Sequence, residues 1–92
     1  MFVFATITPK KQFFENAKQA ILGILDQTRD EPGCIQFELH ENSEEGKLFL
    51  YEQWQDENAL TLHYQQPYTA HVFEQYEQWL QIPVDVVKMD KC

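Results

Sequence analysis

Three of the four strand-like segments in this chain carry apolar side chains on both faces, which most restricts how it can fold. In residues 2–8, FVFATIT, Phe2 and Phe4 oppose Val3, Ala5 and Ile7. In 47–54, KLFLYEQW, Leu48, Leu50 and Trp54 oppose Phe49 and Tyr51, and in 84–89 Val84 and Val86 oppose Val87 and Met89. Only 34–41, CIQFELHE, separates the faces, with Ile35, Phe37 and Leu39 on one and Cys34, Gln36, Glu38 and His40 on the other. Side chains alternate along a strand, so each set defines a face.

The intervening segments have helical period. Thr8 is the expected N-cap and Pro9 the first helical position of a helix carrying Phe13, Phe14, Ala17, Ala20, Ile21, Ile24, Leu25 and Thr28 as one stripe. DEPG at 30–33 stops it. ENSEEG at 41–46 makes a hairpin of the second and third strands. Asp56 caps a further helix through Leu62, His63 and Tyr64. Pro67 interrupts that helix, and Val72, Phe73, Tyr76, Trp79 and Leu80 continue at helical spacing.

The order β-α-β-β-α-β over 1–92 predicts one α+β domain of ferredoxin-like arrangement, a four-stranded antiparallel sheet with its helices on one face. Helices can cover one sheet face, and an exposed second apolar face is an aggregation liability. The simplest cover is a second copy related by a two-fold axis, so a homodimer is expected. The space between two such sheets is then also the natural place for a small apolar ligand.

The composition removes several partners. Fifteen acidic residues against 7 basic ones give a net charge of −8, and the lysines and arginine are scattered, so neither nucleic acid nor an anionic membrane is an expected partner. No apolar run is long enough to span a bilayer. MFVFATITP has no basic region and reads as a strand, not a signal peptide. Cys34 and Cys92 form no C-x-x-C pattern, and two free thiols in a reducing, cytoplasmic setting are expected.

Three segments then resemble a known family: EPGCIQFELHE (31–41), LFLYEQWQDENALTLH (48–63) and TAHVFEQY (69–76). Their pattern is similar to that of the antibiotic-biosynthesis-monooxygenase family, and nearest to its small quinol-monooxygenase-like members. The resemblance implies a dimeric α+β barrel. It also implies oxidation of a small aromatic, a quinol or polyphenol, by molecular oxygen with no metal or flavin. Another branch resembles a protein that processes the phosphorylated autoinducer-2 signal, and some members have no established activity. A haem-degrading branch carries an asparagine on its first strand and a tryptophan at the position of His63; this chain has neither.

Within that frame His63 is the candidate general base, because an imidazole can take a phenol proton at neutral pH; the alternative is a histidine that only packs. His71 is the second candidate catalytic residue, at the pocket border or the solvent edge. Trp54, Tyr51 and Phe73 are the candidate substrate-binding aromatics, each equally suited to the core or an interface. Glu38 and Glu52 lie mid-strand as an acid pair or as hydrogen-bond acceptors, and His40 is as much surface as site. The histidines show no metal-binding spacing and the glycines no phosphate loop, so neither a metal nor a nucleotide cofactor is expected. A phosphorylated substrate would call for cations, and Trp54–His71 contains none. A non-catalytic ligand-binding dimer is the third reading.

Overall fold

The structure is a computed structural model describing residues 1–92. Strands β1 (Phe2–Ile7), β2 (Cys34–Asn42), β3 (Lys47–Trp54) and β4 (Asp85–Met89) form one antiparallel sheet in the order β2-β3-β1-β4. Helices α1 (Phe14–Leu22), α2 (Leu25–Arg29), α3 (Glu57–Gln65) and α4 (Pro67–Trp79) pack on one side of it. This is the ferredoxin-like α+β architecture that the segment order predicts.

The register assigns the faces. Val3 pairs with Glu52, Ala5 with Leu50 and Ile7 with Leu48, so these side chains share the helix-facing side. They are buried with Phe37 and Trp54 against Ala17, Ile21, Ile24, Leu60, Val72 and Tyr76. Each large apolar side chain so buried contributes about 1.5–3 kcal/mol. On the other side, Phe2 stacks with Tyr51 at 6.3 Å and Phe4 with Phe49 at 5.7 Å between ring centroids. Val87 and Met89 flank Phe4 and Phe2. No helix covers this face.

Three local expectations are corrected. The first helix is not continuous from Pro9. A 3₁₀ turn at Lys11–Phe13 precedes α1, and the chain breaks at Gly23 before α2. Thr8 and Pro9 tether instead of capping: Pro9 bridges to Leu80, and the Thr8 carbonyl accepts from Gln81 N at 2.9 Å. Finally, β2 does not alternate strictly. A bulge between Cys34 and Gln36 turns Ile35 out of the core, leaving it 59% exposed.

Two turns position the site. The Asp56 side chain accepts from Ala59 N at 2.8 Å and so starts α3 where the sequence indicates. Gly33 has φ of +86°, and a Cβ there would lie 2.6 Å from the Ala59 Cβ. Only glycine meets both demands, and its presence lets α3 press against the turn that begins β2. That turn carries Glu31, and α3 carries His63. Between α3 and α4, Gln66 is extended (φ −65°, ψ 137°), as expected of a residue before proline, and Pro67 opens α4.

Candidate active site

His63 is 3% exposed, a full turn and a half into α3 and aimed into the sheet side. Its Nδ1 lies 2.9 Å from Oε2 of the buried Glu31. The same carboxylate oxygen accepts the hydroxyl of Tyr68, from the first turn of α4. With Glu31 as acceptor, Nδ1 is the protonated nitrogen and Nε2 the basic one. The imidazole is seated on aromatic surface: its ring centroid is 4.8 Å from that of Trp54 and 5.5 Å from that of Phe37.

Trp54, fully buried at the end of β3, donates from Nε1 to Oε1 of Glu52 at 2.8 Å. Glu52 is itself buried, and loss of hydration pushes its carboxyl up to about 7. The Trp54 hydrogen bond opposes that rise, and the nearby Glu31 charge adds to it. Cys34 is a contrasting neighbour. Burial raises its thiol to about 11, so it holds no reactive thiolate at neutral pH.

His63 and Glu52 line one cavity between the sheet and the helices. Its walls are otherwise apolar, with Ala5, Phe37, Leu50, Val72 and Val86 among them, and Thr69 is the other polar contributor besides Tyr64 and Tyr76. No lysine or arginine reaches it. Its volume is about 30 Å³, room for a guest the size of water or dioxygen. Phe73, Tyr76, Val84 and Val86 also border a wider groove of about 570 Å³ along α4 and β4, so the cavity's outlet lies between those two elements. Lys88 borders the adjoining surface beside Tyr64, Phe73 and Val86, and its Nζ is held 2.6 Å from Oε1 of Glu57.

The sequence-derived candidates separate accordingly. His63 lines the cavity, Trp54 supports it from beneath, and Phe73, 41% exposed, stands at the outlet. Tyr51 is on the opposite sheet face, because it alternates with Glu52 along β3. His71 is exposed, one position off the buried Thr69–Val72–Tyr76 stripe of α4, and does not line the cavity. Glu38 and His40 lie on the open face or its rim, exposed, and Glu38 faces Tyr51 and not Glu52. The cavity is also on the helix side of the sheet, not in the space over the open face.

The sequence reading assigned no role to Glu31 or Tyr68 and gave Glu52 none in chemistry. No local signal marks Glu31, because it meets His63 only once Gly33 admits α3 against the turn. No group of three or more His, Cys, Asp or Glu side chains is placed to hold a metal ion. No helix is long and apolar enough to cross a membrane.

Residues 1–79 match the family model for antibiotic biosynthesis monooxygenase. An uncharacterized protein of Synechocystis is 32% identical over 78 residues, which cover 84% of this chain and 51% of that protein. The chain thus spans about half the length of this curated relative. Among solved structures, Rv0793 from Mycobacterium tuberculosis is 26% identical with a TM-score of 0.88, over 98% of this chain and 95% of that one. PA3566 from Pseudomonas aeruginosa is 25% identical with a TM-score of 0.91, over 99% and 92%. A crystal structure described as an antibiotic biosynthesis monooxygenase shares the fold, with a TM-score of 0.91 at 22% identity over 99% and 97%. With the family model matching 79 of its 92 residues, this chain belongs to the antibiotic biosynthesis monooxygenase family.

Proposed function

We propose that the chain is a cofactor-independent monooxygenase that oxidises a neutral quinol or polyphenol with molecular oxygen, with His63 as general base. The observation that carries this is His63, backed by Glu31 at Nδ1, on the wall of an apolar cavity. Glu31 orients the imidazole and stabilises it once protonated, leaving Nε2 to take the phenolic proton. The resulting anion passes one electron to dioxygen, and the aryloxyl radical and superoxide recombine at a ring carbon as a hydroperoxide. Loss of water then leaves a carbonyl on that carbon. One oxygen atom enters the product, the other leaves as water, and the substrate supplies all four electrons, so no external reductant is needed. Glu52, protonated in much of the population near pH 7, supplies a proton to the departing oxygen.

The absence of any cation on the cavity wall favours a neutral substrate over a phosphorylated one. A second copy of the chain covers the face of Phe2, Phe4, Phe49 and Tyr51, giving a homodimer with one cavity per subunit.

Oxygen uptake with a hydroquinone panel tests the reading. Wild-type protein should exceed the buffer autoxidation rate for at least one substrate. His63→Ala should lower that excess by about 10²–10⁴-fold, the range for a positioned base, and Glu31→Gln by less. Uptake at the buffer rate for every substrate ends the proposal.

A further inference from the structure

Two buried side-chain oxygens in the whole chain have no hydrogen-bond partner, Thr28 Oγ1 and Thr69 Oγ1. They differ in one respect. Thr69 lines the cavity that holds His63 and Glu52, and Thr28 does not. An unpaired buried hydroxyl costs roughly 1–3 kcal/mol, so such groups are rare and call for a reason. A helical threonine normally has an easy remedy, donation to the carbonyl one turn back. Thr69, the third residue of α4, has no turn of its own helix behind it: the extended Gln66 separates it from Gln65 and α3, and its hydroxyl stays unpaired.

The geometry points to Thr69 as a ligand-binding residue, its hydroxyl kept unpaired in the protein so that it donates a hydrogen bond to an oxygen atom of the molecule in the cavity. This rests on the reading of the cavity as the ligand site, but not on oxygenation taking place there. His63 Nε2 can accept from a ligand hydroxyl, and a hydroxyl oxygen that donates to an imidazole still has lone pairs to accept from Thr69. One phenolic oxygen gripped from both sides is then held in place as its proton leaves. Thr69 strengthens that hold as negative charge grows on the oxygen, since hydrogen bonds to charged acceptors are the stronger ones. The residue opens the T-A-H segment, whose histidine does not line the cavity; within that segment it is the threonine that does.

The test compares 1-naphthol with naphthalene by equilibrium dialysis under nitrogen, where nothing is oxidised. The ratio of their dissociation constants isolates what the hydroxyl group adds to binding. Thr69→Val keeps the shape and removes the donor. It should cut that ratio about threefold to tenfold, the range for one neutral hydrogen bond, while leaving the melting temperature equal to or above that of the wild type. Thr28→Val, the control on the other unpaired hydroxyl, should leave the ratio unchanged. Thr69 loses its role if Thr69→Val keeps the wild-type ratio, if Thr28→Val lowers it equally, or if neither ring binds. If the ratio falls in Thr69→Val while no hydroquinone consumes oxygen, the Thr69 assignment stands and the monooxygenase reading falls. Oxygen uptake with an unchanged ratio is the reverse case.

Discussion

Glu52 makes stability depend on pH in the direction opposite to most carboxylates. Its folded value of about 7 stands against an ordinary 4.5. Between those values the folded chain holds a proton that the unfolded chain has released. The stabilisation from this group is therefore complete below pH 4.5 and is lost as pH rises through 7. At about 1.4 kcal/mol per pH unit, the gap corresponds to about 3 kcal/mol between pH 4.5 and 8. Glu52→Gln keeps the shape and an oxygen to accept from Trp54 Nε1, and it has no proton to lose. The assay is urea unfolding of both proteins at pH 4.5, 6 and 8, at one protein concentration because association would move the midpoint. The variant should gain on the wild type by about 3 kcal/mol across the series, which for a domain of this size is on the order of 10–20 °C in Tm. Taking the difference cancels the other carboxylates. Parallel pH profiles would show that burial does not hold Glu52 neutral, and would remove it as the proton donor.

Gly33→Ala combines a positive φ with a 2.6 Å approach to Ala59, so it should destabilise the chain by about 3 kcal/mol or more and loosen His63 from Glu31. Chemical denaturation reads the first effect, and the His63 imidazole resonances in NMR read the second. Phe49→Glu places a charge in the middle of the open sheet face, once per subunit and so twice per symmetric pair. With this face pairing two copies as proposed, the dissociation constant should rise at least 100-fold by sedimentation equilibrium with the circular dichroism spectrum retained, and an unaltered association would relocate the interface.

The sequence disclosed the sheet because period-two patterning survives translation into structure. β1, β3 and β4 appear with the faces their residues predict, and the unmatched apolar face was legible as Phe2, Phe4 and Phe49. Breaks in regularity were hidden. Cys34–Ile35–Gln36 alternates on paper, yet its bulge follows from pairing with Trp54 and Gln53 across the hairpin, which one strand cannot reveal. The site shows the same division. His63 stands out through the family resemblance of its segment on an Asp56-capped helix, but Glu31 is 32 residues away and Tyr68 37 from Glu31. Their convergence depends on how closely α3 approaches the turn at Gly33, a tertiary distance with no local signature. Glu52 reads from sequence as half of an acid pair with Glu38 or as a hydrogen-bond acceptor, since one strand does not fix the register. The register sets Glu38 opposite Tyr51, and burial makes Glu52 an acid near neutral pH.

β4 is an edge strand, hydrogen-bonded to β1 alone and linked to α3 by the exposed Lys88–Glu57 pair. Its Val86 is one wall of a cavity too small for an aromatic ring. If the proposed aromatic substrate binds there, its ring enters only while that wall stands aside, and edge elements open at the low end of the free-energy range. The observed dissociation constant is then the intrinsic one divided by the fraction of time the wall is open. An opening costing about 2.7 kcal/mol would weaken binding roughly 100-fold. The same opening exposes the amides of β4 to solvent, so their hydrogen-exchange rates and the ligand's apparent affinity report a single equilibrium. A substitution that frays this edge should quicken exchange and tighten binding together, tying the frailty of one short strand to the selectivity of the whole molecule.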